Sequence, residues 1–109
     1  MEYGLKPDVI VNINRVLAVH PEIEQAILYG SRAKGNYRIG SDIDLCLVGD
    51  SLTLTQLLKI ENEMDDLLLP YKIDLSLFHM LDNPELIEHI HRVGVAFYLP
   101  GSLADRKPL

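Results

Sequence analysis

The sequence predicts a single α/β domain: a mixed sheet of three core strands and a short fourth, flanked by helices. Three observations predict it. Apolar residues recur at helical spacing in some segments and form short unbroken runs in others, and the two kinds of segment alternate. Proline and glycine punctuate the joins between them. The chain has 109 residues, 48% of them hydrophobic, enough to close one core and too few for two.

Pro7 and Asp8 open the first helix, in which Val9, Ile13, Val16 and Leu17 recur at i, i+4, i+7 and i+8. They form one apolar stripe that ends near His20-Pro21. Ile23 to Tyr29 reads as a buried strand closed by Gly30, after which a small, basic, glycine-containing loop runs from Ser31 to Ser41. Ile43 to Val48 is the second strand, stopped by Gly49-Asp50. Thr53 with Gln56 three residues on has the form of a capping box, and its helix extends to about Leu69, where Pro70 stops it. Leu54, Leu57, Leu58, Met64, Leu67 and Leu68 give that helix an apolar face broad enough to cover a sheet. Lys72 to Phe78 is the third strand. Asn83 caps a last helix with Pro84 at its first position, Gly94 suits its C-terminal cap, and Val95 to Leu99 is the short fourth strand. The expected domain is 1–99, with 100–109 a loosely ordered C-terminal tail.

Charge and composition narrow the function. Asp plus Glu number 16 against 10 Lys plus Arg, a net charge of -6, which argues against a nucleic-acid backbone as the main partner. A phosphate held locally, with metal ions neutralising it, stays compatible with that balance. The single cysteine, Cys46, rules out an internal disulfide framework, so a reducing, cytoplasmic setting is expected. The N-terminus lacks the apolar core of a signal peptide, and the longest apolar stretch, Val93 to Leu99, is far short of a membrane span.

The chemistry gathers between Tyr29 and Leu45. A buried strand ends in Gly30-Ser31, ten residues follow, and the next strand opens with Asp42-Ile43-Asp44. Residues i and i+2 of an extended chain point to the same side, so Asp42 and Asp44 present two carboxylates together. Like charges so placed repel unless a cation sits between them, and hard oxygen donors suit Mg²⁺ that completes its shell with water and phosphates. Gly30 lets backbone approach an anion, and the turn after it offers free N–H groups plus the Ser31 hydroxyl. Arg32, Lys34 and Arg38 put three cations nearby as candidates to hold a triphosphate. A third carboxylate, Asp74, lies inside the apolar run Ile73-Asp74-Leu75, where an acid is costly without a partner such as a metal. A right-handed helical crossover makes the second and third strands parallel, so Asp42 and Asp74 start on one edge of the sheet. The first strand reaches that edge with its end, Gly30, and so runs antiparallel to the second. Three carboxylates beside a phosphate-holding turn fit two-metal nucleotidyl transfer. In that reading Asp42 and Asp44 bind metal, Asp74 binds the catalytic metal or takes the proton, and Ser31 binds phosphate.

Gly30-Ser31, ten residues, Asp42-Ile43-Asp44 and a later-strand Asp74 together resemble the DNA polymerase β-like nucleotidyltransferase superfamily. Within it, Gly-Ser-Arg-Ala-Lys-Gly followed by Gly-Ser-Asp-Ile-Asp-Leu is similar to the minimal nucleotidyltransferase (MNT) subgroup, over roughly Val9 to Leu99. The resemblance implies a stripped palm-like domain. It also implies ATP as substrate, two Mg²⁺ ions, and an antitoxin paired in a hetero-oligomer with a HEPN-domain ribonuclease toxin, silenced by AMP transfer to a tyrosine hydroxyl.

Other readings of the same residues are weaker. The glycine loop fails as a P-loop, since Asn36-Tyr37 follow Gly35 where Lys and Ser or Thr are required. Asp42-Ile43-Asp44-Leu45 lacks the third acid and the glycine of an EF-hand loop. Asp74 on its own could be an edge-strand charge that reaches water. The four histidines form no metal site by spacing; His89 and His91, at i and i+2 on a helix, face different directions. Cys46 shares a strand face with Asp44 but reads as a small packing residue, and Tyr29, Tyr37 and Tyr71 as packing or loop residues rather than acceptors. Two functional alternatives stand beside protein AMP transfer: a binding antitoxin or regulatory module acting by contact alone, and transfer to a small molecule. The second usually needs a further helical domain, which this length leaves no room for. Template-directed polymerisation is disfavoured for the same reason and by the acidic charge.

Overall fold

The computed structural model, which describes residues 1–101, alternates helices and strands in the predicted order. Helix α1 spans Pro7–Ala18, strand β1 Gln25–Tyr29, a single-turn helix α2 Ser31–Lys34, and strand β2 Ile43–Val48. Helix α3 spans Leu54–Asp65, strand β3 Ile73–Leu77, helix α4 Pro84–Val93 and strand β4 Val95–Tyr98, with a 3₁₀ turn at Phe78–Met80. The strands form one sheet in the order β3-β2-β1-β4. As expected from the crossover, β2 and β3 are parallel, while β1 is antiparallel to both of its neighbours, β2 and β4. Pro100 and Gly101 form an exposed turn, and the rest of the expected tail lies outside the described residues. Among the described residues no helix is long and apolar enough to cross a membrane.

Period-two alternation divides the sheet into two unlike faces. Ala26 and Leu28 of β1, Ile43, Leu45 and Leu47 of β2, and Leu75 and Leu77 of β3 point to one side. There they bury against Val9, Ile13 and Leu17 of α1 and against Ile60 and Met64 of α3. Each fully buried leucine in this layer contributes roughly 1.5–3 kcal/mol. The two covering helices are also tied together where His20 Nε2 meets Glu63 Oε1 at 2.6 Å. The opposite face carries Ile27, Tyr29, Cys46 and, just past β3, Phe78. It receives Leu86, Ile90 and Val93 of α4. The second cluster is smaller, and the polar residues of the sheet lie beside it.

The strands are slightly shorter than the sequence reading, β1 starting at Gln25, β3 spanning Ile73–Leu77 and β4 ending at Tyr98, and three further differences have local reasons. The segment read as a loop from Ser31 begins with one helical turn, closed by Lys34 N–H to Gly30 O at 3.0 Å and Gly35 N–H to Ser31 O at 2.9 Å. Gly35, at φ 90, ends it in the left-handed conformation. Thr53 and Gln56 do form a reciprocal capping box, but α3 stops at Asp65 rather than near Leu69. Leu68 turns to φ 53, and Pro70 disfavours helical geometry at the residue before it. Leu68 is consequently 88% exposed, and Leu54 and Leu58 also face solvent, so the covering face of α3 is narrower than its leucines imply. Gly94 follows α4 at φ -64, not in the left-handed region. It is needed for close approach: a Cβ there would strike Ile90 O and lie 2.6 Å from Ile27 Cγ2.

That contact seats α4 on β1 and yields a direct test. Gly94→Ala should destabilise the protein by about 1–3 kcal/mol, the range for overpacking a close contact, read as a lower Tm. An unchanged Tm would show that α4 can shift without cost.

Candidate active site

The end of β1 and the starts of β2 and β3 meet at one edge of the sheet, as the crossover argument requires. Tyr29 pairs with Asp44 across β1 and β2, and Asp44 pairs with Asp74 across β2 and β3. Neighbouring strands lie about 4.8 Å apart, so Tyr29, Asp44 and Asp74 form one row on the face that carries α4. Beneath it runs a second row, Ile27, Cys46 and Ser76. Cys46 is fully buried, and burial pushes its thiol pKa up, as befits a packing residue. Asp42 stands just before β2, exposed, two residues from Asp44.

Electrostatics confirms that these carboxylates share one environment. The Asp44 pKa is raised by burial first, then by the charges of Asp74 and Asp42, against smaller opposing influences from His89 and Lys72. Tyr29 responds to the same field: burial, and then the charges of Asp44 and Asp74, push its phenol up. Among the described residues no three His, Cys, Asp or Glu side chains converge into a preformed metal cluster. The donor set still fits Mg²⁺. Hard carboxylate oxygens repel one another here, and Mg²⁺ commonly takes only one or two such ligands and keeps water and substrate phosphates for the rest.

Gly30 joins the carboxylates to the turn that follows. It sits at φ 74 and ψ -156, and a Cβ at this position would collide with Asp44 Oδ2. Only glycine lets the chain leave β1 here with the carboxylate in place. Ser31 then starts α2, whose first-turn amides have no acceptors within the helix. A hydroxyl and free amides thus stand beside the acidic row.

The three basic residues diverge. Arg32, expected to reach phosphate, instead points into the protein and is 2% exposed. Its Nε and Nη2 donate to Ser41 O at 3.1 and 2.9 Å, Nη2 also to Ile39 O at 3.3 Å, and Nη1 to Tyr3 O at 2.9 Å. The guanidinium lies 5.3 Å from the Tyr37 ring centre and 4.9 Å from that of Tyr71, a cation–π arrangement on both. Backbone carbonyls and aromatic rings, not phosphate, occupy this fork. Lys34 and Arg38 are exposed and make no ion pair among the described residues. The argument for Asp74 also changes. β3 is an edge strand and Asp74 is exposed, so its charge reaches water and burial cost does not demand a metal. Register, rather than burial, ties Asp74 to Asp44.

Two residues that the motif does not contain reach this site. Lys72 precedes β3, and His89 arrives from α4, where its Nε2 accepts the Gly30 N–H at 3.2 Å. Helical spacing holds the signal for His89: it lies three residues after Leu86 and four before Val93, on the packed side of α4. His91 stacks on Phe78 with ring centres 5.8 Å apart, so the two histidines do face different ways.

Comparison with known proteins bears on the family and the fold. The family model described as polymerase beta, nucleotidyltransferase matches residues 11–104. Among solved structures, a chain of a toxin–antitoxin complex with AMP-PNP is similar at 20% identity and TM-score 0.66, covering 93% of this chain and 78% of that one. A chain of the MntA-HepT toxin–antitoxin complex is similar at 16% identity and TM-score 0.64, covering 92% and 78%. A chain from the complex of tri-AMPylated Shewanella oneidensis HEPN toxin with MNT antitoxin is similar at 16% identity and TM-score 0.58, covering 89% and 77%. No curated protein matches the sequence.

The raised Asp44 pKa has a signed consequence for stability. A carboxyl with a higher pKa folded than unfolded costs nothing at low pH. It destabilises the fold progressively as pH climbs from the ordinary carboxylate value through that raised one, above which the penalty is complete. In chelator, Asp44→Asn should therefore raise Tm at pH 7.5, with the gain shrinking toward zero near pH 4. A pH-independent difference would contradict the electrostatic cause. Arg32→Met should destabilise by at least about 2 kcal/mol, because it strands the carbonyls of Tyr3, Ile39 and Ser41. Denaturant melts would measure it, and a neutral result would show that those carbonyls find water.

Proposed function

The chain belongs to the polymerase β nucleotidyltransferase family, and on that premise we propose that it is an antitoxin. In this reading it transfers AMP from ATP to a hydroxyl, that of a tyrosine, on a HEPN-domain toxin. The observation that carries the reading is the register of the site: Asp44 stands between Tyr29 and Asp74, with its carboxylate against Gly30. Likeness to a chain from a complex of MNT antitoxin with AMPylated HEPN toxin supports the choice of partner. Likeness to a chain from a toxin–antitoxin complex with AMP-PNP supports ATP as donor.

Asp42 and Asp44 would hold Mg²⁺, with Asp74 contributing to a second ion. When bound, the metal neutralises triphosphate charge and lowers the pKa of an attacking hydroxyl. The chain's own residues do the rest. The Ser31 hydroxyl and the first amides of α2 bind phosphate oxygens, and Gly30 lets the backbone come close enough for them to do so. Lys34 and Arg38, exposed on the segment that follows, take the distal phosphates. The acceptor oxygen forms a bond to the α-phosphorus, the bond to the bridging oxygen breaks, and pyrophosphate leaves. Asp74, exposed on the edge strand, takes the acceptor's proton, and its position leaves the approach open to another protein. Among the described residues a single helix covers this face of the sheet and the acidic row lies open at its edge, which favours a macromolecular acceptor over a small one.

Incubation with α-labelled ATP, Mg²⁺ and a HEPN-domain protein that binds this chain should label that protein on tyrosine. Asp42→Asn and Asp44→Asn should each cut labelling by about a hundredfold or more, since each removes transition-state charge stabilisation worth several kcal/mol. A verified native partner that stays unlabelled would overturn the reading, as would labelling that survives either substitution. Neutralisation by the triple Asp→Asn variant equal to the parent's would mean that contact alone suffices.

A further inference from the structure

Gly30 is the point at which β1 leaves the sheet. Its N–H lies beyond the last ladder pair, Tyr29 with Asp44. A half-buried amide without a ladder partner must find another acceptor or pay a desolvation cost. The acceptor comes from 59 residues away, where His89 Nε2 receives the Gly30 N–H at 3.2 Å. In this contact the ring nitrogen serves as the acceptor. The ring is held in place. Tyr29 packs against it edge-on, with centres 6.1 Å apart and planes at 82°, and the next residue, Ile90, is buried on the sheet.

We propose that His89 is a positioning residue for the Gly30-Ser31 turn, its imidazole fixing the Gly30 amide so that the turn is formed before a triphosphate arrives. Gly30 has a carboxylate on one side and this histidine on the other. The left-handed φ of 74 gives glycine several alternatives, and the hydrogen bond selects one of them. That choice sets the direction in which α2 starts, and hence where the Ser31 hydroxyl and the first free amides point. A turn already in its binding conformation loses less entropy when the ligand binds. The consequence for substrate rests on the nucleotidyl-transfer reading, whereas the hydrogen bond does not.

His89→Leu removes the acceptor while keeping an apolar body of similar size, and His89→Gln offers an acceptor at nearly the Nε2 position. Amide hydrogen exchange at Gly30, referenced to Leu28 within β1, reads the hydrogen bond in the nucleotide-free protein. It should accelerate about tenfold in the Leu variant and be largely restored in the Gln variant, the scale of one lost hydrogen bond. The Kd for AMP-PNP with Mg²⁺ should rise by a similar factor in the Leu variant, and KM for ATP with it, while kcat stays within about twofold. Unchanged Gly30 exchange in the Leu variant would overturn the assignment. So would a loss of kcat at unchanged Kd, which would place His89 in the chemistry instead. If the parent protein itself fails to bind AMP-PNP, the nucleotidyl-transfer reading falls, and the exchange comparison still decides the role of His89.

Discussion

One buried guanidinium holds the two halves of this site in register. Arg32 follows Ser31 directly, and its side chain turns inward to the carbonyl of Ser41, the residue before Asp42. The eight-residue excursion between Arg32 and Ser41 is thus closed by two donors of one side chain meeting one carbonyl oxygen. The same fork reaches the N-terminal turn at Tyr3 and rests between Tyr37 and Tyr71, the latter leading into β3. A charge sealed from water needs this many partners to be tolerable, and among the described residues none of them is a carboxylate. Arginine suits the position because its planar fork can meet several carbonyls and two rings at once, which a lysine ammonium cannot.

The sheet supplies the second constraint. An all-parallel arrangement would put the end of β1 at the edge opposite the starts of β2 and β3. Pairing β1 antiparallel to β2, with β3 parallel to β2, collects one strand end and two strand starts at a single edge. The carboxylates then cluster on the lightly covered face, while the face beneath α1 and α3 is wholly apolar. Packing and chemistry are kept on opposite sides of the same strands, so changes in the acidic row leave the main core intact.

The cost of the cluster is electrostatic. Asp44 gathers burial and two neighbouring negative charges, and His89 and Lys72 offset them only in part. A site that holds like charges together in the absence of ligand stores repulsion that a cation relieves, which is a common way for function to draw on stability. His89 also accepts the Gly30 N–H and so ties the turn to α4.

Much of this was legible in the linear order of residues. Hydrophobic period, proline and glycine punctuation, and the capping residues Thr53, Gln56 and Asn83 determined the element order, the mixed sheet and the edge at which Gly30, Asp42, Asp44 and Asp74 meet, because these are consequences of local geometry and short connections. Three matters were decided only in three dimensions. The direction of Arg32 depends on carbonyls from Tyr3, Ile39 and Ser41 that no spacing rule links to it. The exposure of Asp74 depends on β3 lying at the edge of the sheet, whereas its apolar neighbours alone suggest burial. His89 enters because α4 packs back onto β1 from the far end of the chain. Periodicity states which side of an element is buried, but which distant group meets it there is settled only when the elements close on one another.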